Sequence, residues 1–322
     1  MPKDLRELPK LRDSISYVYL EHAIIEQEEL SITIRQGKSR TPLPVSSLTC
    51  LMLGPGISIT HAAIRTIEEN GCMVVWCGEH GARFYAMGLG ETRSAKNILL
   101  QAKCCMDEEL HMRVVRRMYE IRFPKMDCSK MTLQQIRGME GIRVRSAYQA
   151  AAKMHGVSWK KRNYKDSDWD SADPVNRALS AANAILYSVC QAAIVSLGYS
   201  TALGFVHTGK MLSFVYDIAD LYKAETTIPV AFEAVRQQPT QPETRVRDLC
   251  RSYFYRARLM QRIAKDLAWI FEDSENEQQD FAGVGDLWDE NGEVTAGGRN
   301  HAGVGDEDGG LGDGSCSTEP AG

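Results

Sequence analysis

The sequence has little of what marks a membrane or secreted protein. We find no apolar run of about 18 residues, the length that a membrane-spanning helix needs. The N-terminal stretch MPKDLRELPKLRDS is polar and lacks the apolar centre of a secretory signal. These absences favour a cytoplasmic protein that has no contact with a membrane.

Cysteine is present, but not in a pattern that builds a site. The nine cysteines include no C-x-x-C pair, and Cys104 and Cys105 are adjacent, which is too close for an ordinary bridge. Most of the others lie in apolar stretches such as LTCLML and CMVVWC. We therefore expect reduced, partly buried thiols instead of a disulfide framework or a zinc site.

The two charge signs are unevenly distributed along the 322 residues. Residues 272–322 contain 14 acidic residues and one basic residue, which leaves 28 acidic and 37 basic residues in positions 1–271. A basic body favours a polyanionic partner such as nucleic acid, because phosphate contacts release counterions. An ordinary, mildly basic surface is the alternative interpretation.

Short β-type runs dominate residues 1–90. The runs SISYVYL, LSITIRQ, SLTCLMLG, CMVVWCG and ARFYAM are rich in Val, Ile, Tyr and Cys and are separated by turn residues. One helix interrupts them, since Thr60 is a suitable N-cap for HAAIRTIEEN and Gly71 lies just past its end. The sequence therefore predicts a small N-terminal β-rich domain with one helix.

Helical periodicity replaces the β-type runs over residues 91–271. One helix is predicted over residues 94–122, and a second begins at the cap candidates Ser129 and Thr132 and ends at Gly156. Three more are predicted in PVNRALSAANAILYSVCQAAIVSLG, LSFVYDIADLYKAE and TRVRDLCRSYFYRARLMQRIAKDLAWIF. The predicted fold class is α+β, with a larger all-α domain after the β-rich one.

The chain loses apolar periodicity from residue 272 onward. Twelve of the 26 glycines lie in residues 272–322, acidic residues dominate, and the pentapeptide AGVGD occurs twice. This composition predicts a disordered, acidic, glycine-rich tail. Phe281, Leu287 and Trp288 are a candidate docking segment for a partner, and solvated low-complexity sequence is the alternative.

Asp217 and Asp220 are the first candidates for chemistry. They lie three residues apart in SFVYDIADLYK, so a helix places them about 60° apart on one face, among apolar neighbours. Two carboxylates in such surroundings repel each other unless a cation or a proton lies between them, and a hard divalent cation meets that need. A pair of solvent-facing acids on an amphipathic helix is the alternative.

His207 and Glu140 are two further candidates. His207 lies in the loop GFVHTGK, ten residues before Asp217, where it can complete a mixed nitrogen and oxygen site suited to Mg²⁺ or Mn²⁺. Glu140 lies between Gly138 and Gly141, each of which costs a helix about 1 kcal/mol relative to Ala and suggests that something approaches the backbone there. A structural histidine and a surface ion pair are the respective alternatives.

The local sequences around these residues resemble one family. Residues 135–145, with RGMEGIRVR, and residues 204–223, GFVHTGKMLSFVYDIADLYK, are similar to the CRISPR adaptation integrase family, CRISPR-associated protein one. The stretches LGPGISITHAAIR, VVWCGEHGARFYA, SAKNILLQAK and VVRRMYEIRF extend the similarity across residues 10–271. The chain resembles in particular the version that works beside the multi-subunit Cascade surveillance complex, subtype I-E.

The resemblance implies a fold, a site and a reaction. It implies an N-terminal β-domain for dimerisation and DNA contact, and a helical catalytic domain in which Glu140, His207 and Asp220 hold Mg²⁺ or Mn²⁺ and Asp217 completes the acidic site. The implied reaction is a transesterification in which a prespacer 3′-OH attacks a phosphodiester at a repeat boundary, assisted by the metal. His207 could instead serve as a general acid or base.

The resemblance also implies partners. It implies a homodimer, two of which bracket a dimer of a small companion subunit, CRISPR-associated protein two, in a heterohexamer that binds prespacer and leader–repeat DNA. The candidates for contacting that DNA are Arg83, Arg137, Arg162, Lys210, Tyr164, Trp169, Tyr187, Tyr216 and His22. Core packing is the alternative for Tyr187 and Tyr216. His22 departs from relatives that carry a tyrosine near this point, and its smaller ring offers less stacking surface.

Two other functions would use the same residues or fewer of them. A metal-dependent nuclease that resolves branched DNA would use the same site with water as the nucleophile. A non-catalytic DNA-binding scaffold has no need of Glu140, His207, Asp217 and Asp220 together, so their joint presence favours an enzyme.

Overall fold

Two four-stranded sheets form the described part of the β-rich region. The computed structural model describes residues 17–29, 31–81, 83–88, 95–124, 131–162 and 173–275. The strands are β1 (Tyr17–Leu20), β2 (Ile24–Glu28), β3 (Ser31–Gln36), β4 (Ser39–Leu43), β5 (Cys50–Leu53), β6 (Ser58–Ile59), β7 (Met73–Cys77) and β8 (Phe84–Gly88). One sheet has the order β1-β5-β7-β8, and the other has the order β4-β3-β2-β6.

The first sheet is covered on both faces. Its strands β1, β5 and β7 are parallel, and β8 runs antiparallel to β7. Because side chains alternate along a strand, Leu51 and Leu53 pack into the core of the β-rich region, while Cys50 and Met52 pack into the core of the helical region. This two-sided burial explains why SLTCLMLG and CMVVWCG are almost continuously apolar.

Helix α1 (His61–Glu69) begins where the sequence predicts. The Thr60 hydroxyl accepts a hydrogen bond from the backbone N–H of Ala63, and Gly71 follows the helix with a positive φ of 61°. Its residue Ile67 packs with Ile25 and Ile32 of the second sheet in the core of the β-rich region. The predicted caps of this helix are confirmed.

Eight further helices make up the described helical region. They are α2 (Lys96–Met106), α3 (Glu108–Arg122), α4 (Leu133–His155), α5 (Pro174–Ser196), α6 (Ser213–Tyr222), α7 (Thr227–Gln237), α8 (Pro242–Arg256) and α9 (Leu259–Glu275). The caps of α4 are confirmed at both ends. Thr132 forms a capping box at its start, and Gly156 ends it in the left-handed conformation.

Two of the predicted helices are each divided in the structure. The helix predicted over 94–122 breaks at Asp107, whose side chain caps α3 by accepting from the backbone N–H of Leu110. The last predicted helix breaks between α8 and α9, where Arg258 has a positive φ of 47°. The apolar stripe runs through both breaks, so periodicity alone did not reveal them. Helix α7 was not predicted.

Helix α5 runs through the centre of the helical core. Its fully buried face contains Ala178, Ala182, Leu186 and Ala193, small and medium side chains that allow close packing. By length and composition α5 could cross a membrane, which corrects the expectation that no apolar run of that length is present. However, 67% of its most apolar stretch is buried inside the protein, as expected of a helix at the centre of a packed core.

The last described helix overlaps the start of the predicted tail. Helix α9 ends at Glu275, so it includes the first four residues of the segment predicted as the tail, residues 272–275. The rest of the tail, with the candidate docking segment of Phe281, Leu287 and Trp288, lies outside the described residues. The seven described cysteines are free, and six of them are buried, as predicted.

Candidate active site

A tight loop before α6 surrounds the carboxylate of Asp217. The backbone N–H groups of Phe205, Val206 and His207 donate to it, at N–O distances of 2.6, 3.1 and 2.8 Å. The loop can close this tightly because residue Gly204 has no Cβ, which would overlap the carbonyl oxygen of His207. Asp217 is only 3% exposed, so its buried charge is compensated by fixed backbone dipoles.

The fourth partner of Asp217 is the imidazole of His207. The Nδ1 atom lies 2.7 Å from Asp217 Oδ1, and this hydrogen bond is the main reason that the pKa of His207 is raised above its usual value. When Nδ1–H donates to the carboxylate, the Nε2 atom of the neutral ring carries the lone pair. Nε2 is therefore the atom that can bind a metal ion or accept a hydrogen bond. A carboxylate that orients a histidine in this way is the common outer partner of a metal-binding imidazole.

Asp220 has charged side chains as partners instead of backbone groups. Lys223 Nζ lies 2.5 Å from Asp220 Oδ1, and Arg122 Nη1 lies 3.9 Å from Asp220 Oδ2. Burial lowers the pKa of the Lys223 ammonium, but Asp220 and Tyr187 together raise it by more, so the pKa is raised overall and the lysine is charged. The carboxylate is therefore held by side chains that can move.

Glu140 reaches the same place from α4. Arg122, the last residue of α3, places Nη1 2.8 Å from Glu140 Oε1. The hydroxyl of Tyr119, one turn earlier on α3, donates to Glu140 Oε2 at 2.8 Å. Glu140 and Asp220 thus share one guanidinium, although they are eighty residues apart in the sequence.

One pocket connects these groups. It is lined by Met118, Tyr119, Arg122, Val206, His207, Asp217, Asp220 and Leu221. The structure therefore brings together all four residues that the sequence selected, with Glu140 joined to the pocket through Tyr119 and Arg122. It also corrects the argument that Asp217 and Asp220 need a cation between them, because each carboxylate has partners of its own.

Sequence reasoning missed three residues of this site, namely Tyr119, Arg122 and Lys223. Lys223 follows Asp220 by three residues, an i,i+3 spacing that indicates an ion pair on a helix. Tyr119 and Arg122 lie in VVRRMYEIRF, which carries family similarity but no local pattern of a site. Only the packing of α3 against α6 and α4 identifies them.

A divalent metal ion would find suitable donors here. Glu140, Asp220 and His207 Nε2 offer two carboxylates and an imidazole, a set that suits Mg²⁺ or Mn²⁺. As they stand, no three His, Cys, Asp or Glu side chains in the described part of the chain converge closely enough to hold an ion. The donor set fits in its chemistry, and a positively charged guanidinium lies where the two carboxylates meet.

Two of the predicted DNA-contacting tyrosines border the site. Tyr187 and Tyr216 pack edge to face with ring centroids 5.1 Å apart, and Tyr216 lies 5.9 Å from the ring of His207. Lys223 Nζ lies 4.9 Å from the ring centroid of Tyr187. Both rings are partly exposed and lie beside the site, and the ring of Tyr187 also packs against the hydrophobic core.

Three other predicted DNA contacts lie on the surface. Lys210, Arg83 and His22 are exposed, and Arg83 and His22 have positive φ values of 62° and 50°. The other candidates, Tyr164, Trp169 and the side chain of Arg137, lie outside the described residues. Surface exposure is compatible with a DNA contact but does not by itself identify one.

Arg162 has partners inside the protein. Its Nη1 donates to the backbone oxygen of Asn176 and its Nη2 to the hydroxyl of Ser180, both at 2.9 Å. These bonds tie the segment after α4 to the first turns of α5. The described conformation therefore turns the hydrogen-bonding edge of Arg162 toward α5.

Gly138 and Gly141, on either side of Glu140, leave the helix backbone uncovered by side chains. A Cβ at Gly138 or Gly141 would have no heavy atom within 4 Å in the described part of the protein. The predicted close approach is therefore not made by a described residue of this chain. The role of the glycines stays a prediction.

The chain is similar to known proteins over most of its length. It matches the family described as CRISPR associated protein Cas1 over residues 16–127 and 122–254. It is 49% identical over 301 residues to the CRISPR-associated endonuclease Cas1 2 of Thermus thermophilus, covering 92% of this chain and 93% of that protein.

Solved structures show the same architecture. The crystal structure of a TtCas1–DNA complex has a TM-score of 0.75 and 52% identity, and covers 82% of this chain and 99% of that chain. A chain of a partial Cas6-RT-Cas1–Cas2 complex has a TM-score of 0.58 and 16% identity, covering 83% of this chain and 97% of that one, which is a likeness of fold alone. The predicted order, a β-rich region followed by a helical domain, is confirmed.

Proposed function

The chain belongs to the CRISPR-associated protein Cas1 family, and on that premise we propose that it is a metal-dependent DNA endonuclease and integrase. In this proposal it inserts prespacer DNA into a CRISPR array at repeat boundaries. The observation that carries the proposal is the pocket in which His207, oriented by Asp217, lies beside Asp220 and the Arg122–Glu140 pair. Such a pocket provides both anionic ligands for a cation and cationic groups for a phosphate.

The proposed metal ligands are Glu140, Asp220 and Nε2 of His207. A bound Mg²⁺ or Mn²⁺ supplies Lewis acidity that polarises the scissile phosphate and stabilises the charge of the transition state. Asp217 orients the histidine by accepting a hydrogen bond from Nδ1–H, which leaves the lone pair of Nε2 for the metal ion. Asp217 is thus proposed as a positioning residue and not as a ligand.

The chain's own cations and aromatic rings serve the DNA in this proposal. Lys223 keeps its charge next to Asp220, and a charged amine can donate to a phosphate oxygen. Tyr187 and Tyr216 offer ring faces or edges to the sugar and base next to the reactive end. In the exchange, a new P–O bond forms to the prespacer 3′ oxygen, which gives its proton to solvent. The bond to the leaving 3′ oxygen breaks, and that oxygen takes up a proton from solvent to become a free 3′-OH.

We propose the partners from the family as well. They are prespacer and leader–repeat DNA, a second copy of this chain, and the small companion subunit Cas2, assembled as a heterohexamer in the cytoplasm. The TtCas1 structure with DNA and the Cas1–Cas2 assembly support DNA and Cas2 as partners, since related or similarly folded chains are named with them. Subtype I-E is the version we propose, on the local sequences around residues 135–145 and 204–223.

Cleavage of branched DNA with water as nucleophile is the second candidate function. The names of the relatives as endonucleases favour it, and the same pocket would serve both reactions. The two differ only in which oxygen attacks the phosphorus.

Joining of a labelled prespacer to a supercoiled plasmid with a leader and one repeat tests the proposal. The protein and its companion subunit are incubated with Mg²⁺ or Mn²⁺, or with chelator. We expect metal-dependent joined product that disappears when the 3′ ends are blocked. Cutting without joining would favour the nuclease, and DNA binding with neither reaction would favour a scaffold.

A further inference from the structure

One guanidinium lies between two acidic side chains in the candidate active site. Arg122 Nη1 is 2.8 Å from Glu140 Oε1 and 3.9 Å from Asp220 Oδ2. The side chains of Arg122, Glu140 and Asp220 are 13%, 23% and 17% exposed, respectively. The same nitrogen therefore serves two carboxylates in surroundings that are partly shielded from water.

This arrangement answers an electrostatic need. Two carboxylates that approach one another repel unless a positive charge lies near both. Tyr119 gives Glu140 a neutral donor, and Lys223 gives Asp220 a charge on its other oxygen. Among the described contacts, Arg122 is the group that joins the two acids.

A divalent cation bound by both carboxylates would compete with the guanidinium of Arg122 for the charge of Glu140 and Asp220. An arginine side chain carries a permanent charge, so the competition would be between two cations. Binding of the ion would therefore weaken the contacts of Arg122 with both acids. Arg122 has another neighbour, since its guanidinium carbon lies 5.7 Å from the ring centroid of Phe123.

We propose that Arg122 is an internal counter-ion of Glu140 and Asp220, and that a divalent cation bound by these two acids displaces it. The proposal rests on the metal ligands of the proposed function. It goes beyond them because it assigns the two acids a stabilising cation from the chain itself. It also implies that the affinity for the metal ion depends on how strongly Arg122 competes for the two acids.

Substitution of Arg122 tests the competition directly. The binding of Mn²⁺ to the full chain is measured by calorimetry for the wild type, Arg122→Gln and Arg122→Lys. We expect Arg122→Gln to bind Mn²⁺ about tenfold more tightly, the factor that corresponds to one charge-assisted hydrogen bond that no longer competes. Arg122→Lys should lie between the wild type and the glutamine variant.

Arg177→Gln is the matched control. Arg177 also pairs with a glutamate, Glu243, at an N–O distance of 3.2 Å, and its side chain is 18% exposed. Its loss removes the same charge from a residue that does not line the pocket and should leave Mn²⁺ affinity unchanged. Unchanged or weaker Mn²⁺ binding by Arg122→Gln would overturn the proposal.

The wild-type protein provides a second measurement that needs no variant. Phenylglyoxal modifies accessible guanidinium groups, and mass spectrometry gives the rate at Arg122 and at Arg177. We expect added Mn²⁺ to increase the rate at Arg122 at least about twofold, because displacement breaks its charge-assisted bonds, and to leave Arg177 unchanged. A rate at Arg122 that Mn²⁺ lowers or leaves alone would contradict displacement.

A failure of the ligand assignment gives a different result. If Glu140→Gln and Asp220→Asn bind Mn²⁺ as tightly as the wild type, the ion binds elsewhere and the proposed metal ligands are wrong. If both variants lose Mn²⁺ binding while Arg122→Gln shows no gain, the ligands stand and the counter-ion proposal fails.

Discussion

The two aspartates of α6 lie one helical turn apart, yet their surroundings differ in kind. Asp217 accepts hydrogen bonds from the backbone N–H groups of a tight loop. In this loop the Cα of Gly204 lies so near the carbonyl oxygen of His207 that a Cβ would not fit. Asp220 faces the ends of two long cationic side chains, Lys223 and Arg122. The first carboxylate has partners that cannot leave without unfolding the loop, whereas the second has partners that can exchange.

This difference assigns different roles to two chemically identical groups. A carboxylate bound by backbone donors is rigid and serves to orient its neighbour, here the His207 ring. A carboxylate bound by flexible cations is available to an incoming cation, since one positive partner replaces another. We therefore expect substitutions of Asp217 to act mainly on stability and those of Asp220 mainly on activity.

Substitution of Asp220 by asparagine should have the largest effect on activity. Removal of a proposed metal ligand should lower the joining rate by a factor of about 10³. The free energy of unfolding should fall by about 1 kcal/mol, less than for Asp217→Asn, because the asparagine oxygen can still accept from Lys223 or Arg122 and both cationic side chains can reorient. Joining is measured with saturating companion subunit, and stability by urea unfolding in EDTA.

Glu225→Gln is the control for Asp220→Asn. Glu225 lies three residues after the end of α6, forms a partly exposed ion pair with Arg262 and does not line the pocket. It should leave joining unchanged. A large loss of stability in Asp220→Asn with normal joining would reverse the roles assigned to the two aspartates.

Substitution of Asp217 by asparagine should have the largest effect on stability. The amide NH₂ replaces an acceptor and faces backbone donors, so we expect a loss of about 3 kcal/mol in the free energy of unfolding. Asp107→Asn is the matched control, because Asp107 accepts one backbone N–H at an exposed helix N-cap, where asparagine serves equally well. If both variants are equally stable, the loop around Asp217 is not the rigid element we infer.

Substitution of Gly204 by alanine tests the loop without changing any charge. The added Cβ would overlap the His207 carbonyl oxygen and lie 2.8 Å from Ser213 Cβ, so the loop must shift. We expect a loss of about 2 kcal/mol in stability and weaker joining. Gly138→Ala, where no described atom lies within 4 Å, should instead stabilise the protein by about 1 kcal/mol. If both variants were destabilised equally, the tight packing of the loop at Gly204 would not explain the loss.

The pH dependence of the His207–Asp217 pair should be the smallest effect. The pKa of His207 is raised, chiefly by its hydrogen bond to Asp217. The pair therefore contributes its full stability below the ordinary histidine pKa of about 6.5 and loses part of it as pH rises through the raised pKa. In EDTA, the difference in melting temperature between wild type and His207→Gln should shrink by about 1–2 °C between pH 5.5 and 8.5, because the half-exposed ring is screened by solvent. A difference that grows with pH would contradict the raised pKa.

The sequence by itself determined the order of the fold and the composition of the site. Caps at Thr60, Thr132 and Gly156, and the change from β-type runs to helical periodicity, are local features that the structure retains. The acids and the histidine were recognisable because the residues around them form a family motif. Such features can be recognised in a sequence because they depend on residues within about one helical turn of each other.

The tertiary structure decided how those residues are used. Periodicity could not show the break at Asp107, because the apolar stripe continues across it. Nor could spacing show that Arg122 joins Glu140 to Asp220, since these contacts span 18 and 98 residues and exist only because α3 packs beside both α4 and α6. The partners that separate Asp217 from Asp220 come from a loop fold and from a distant helix end, and long-range packing alone brings them together.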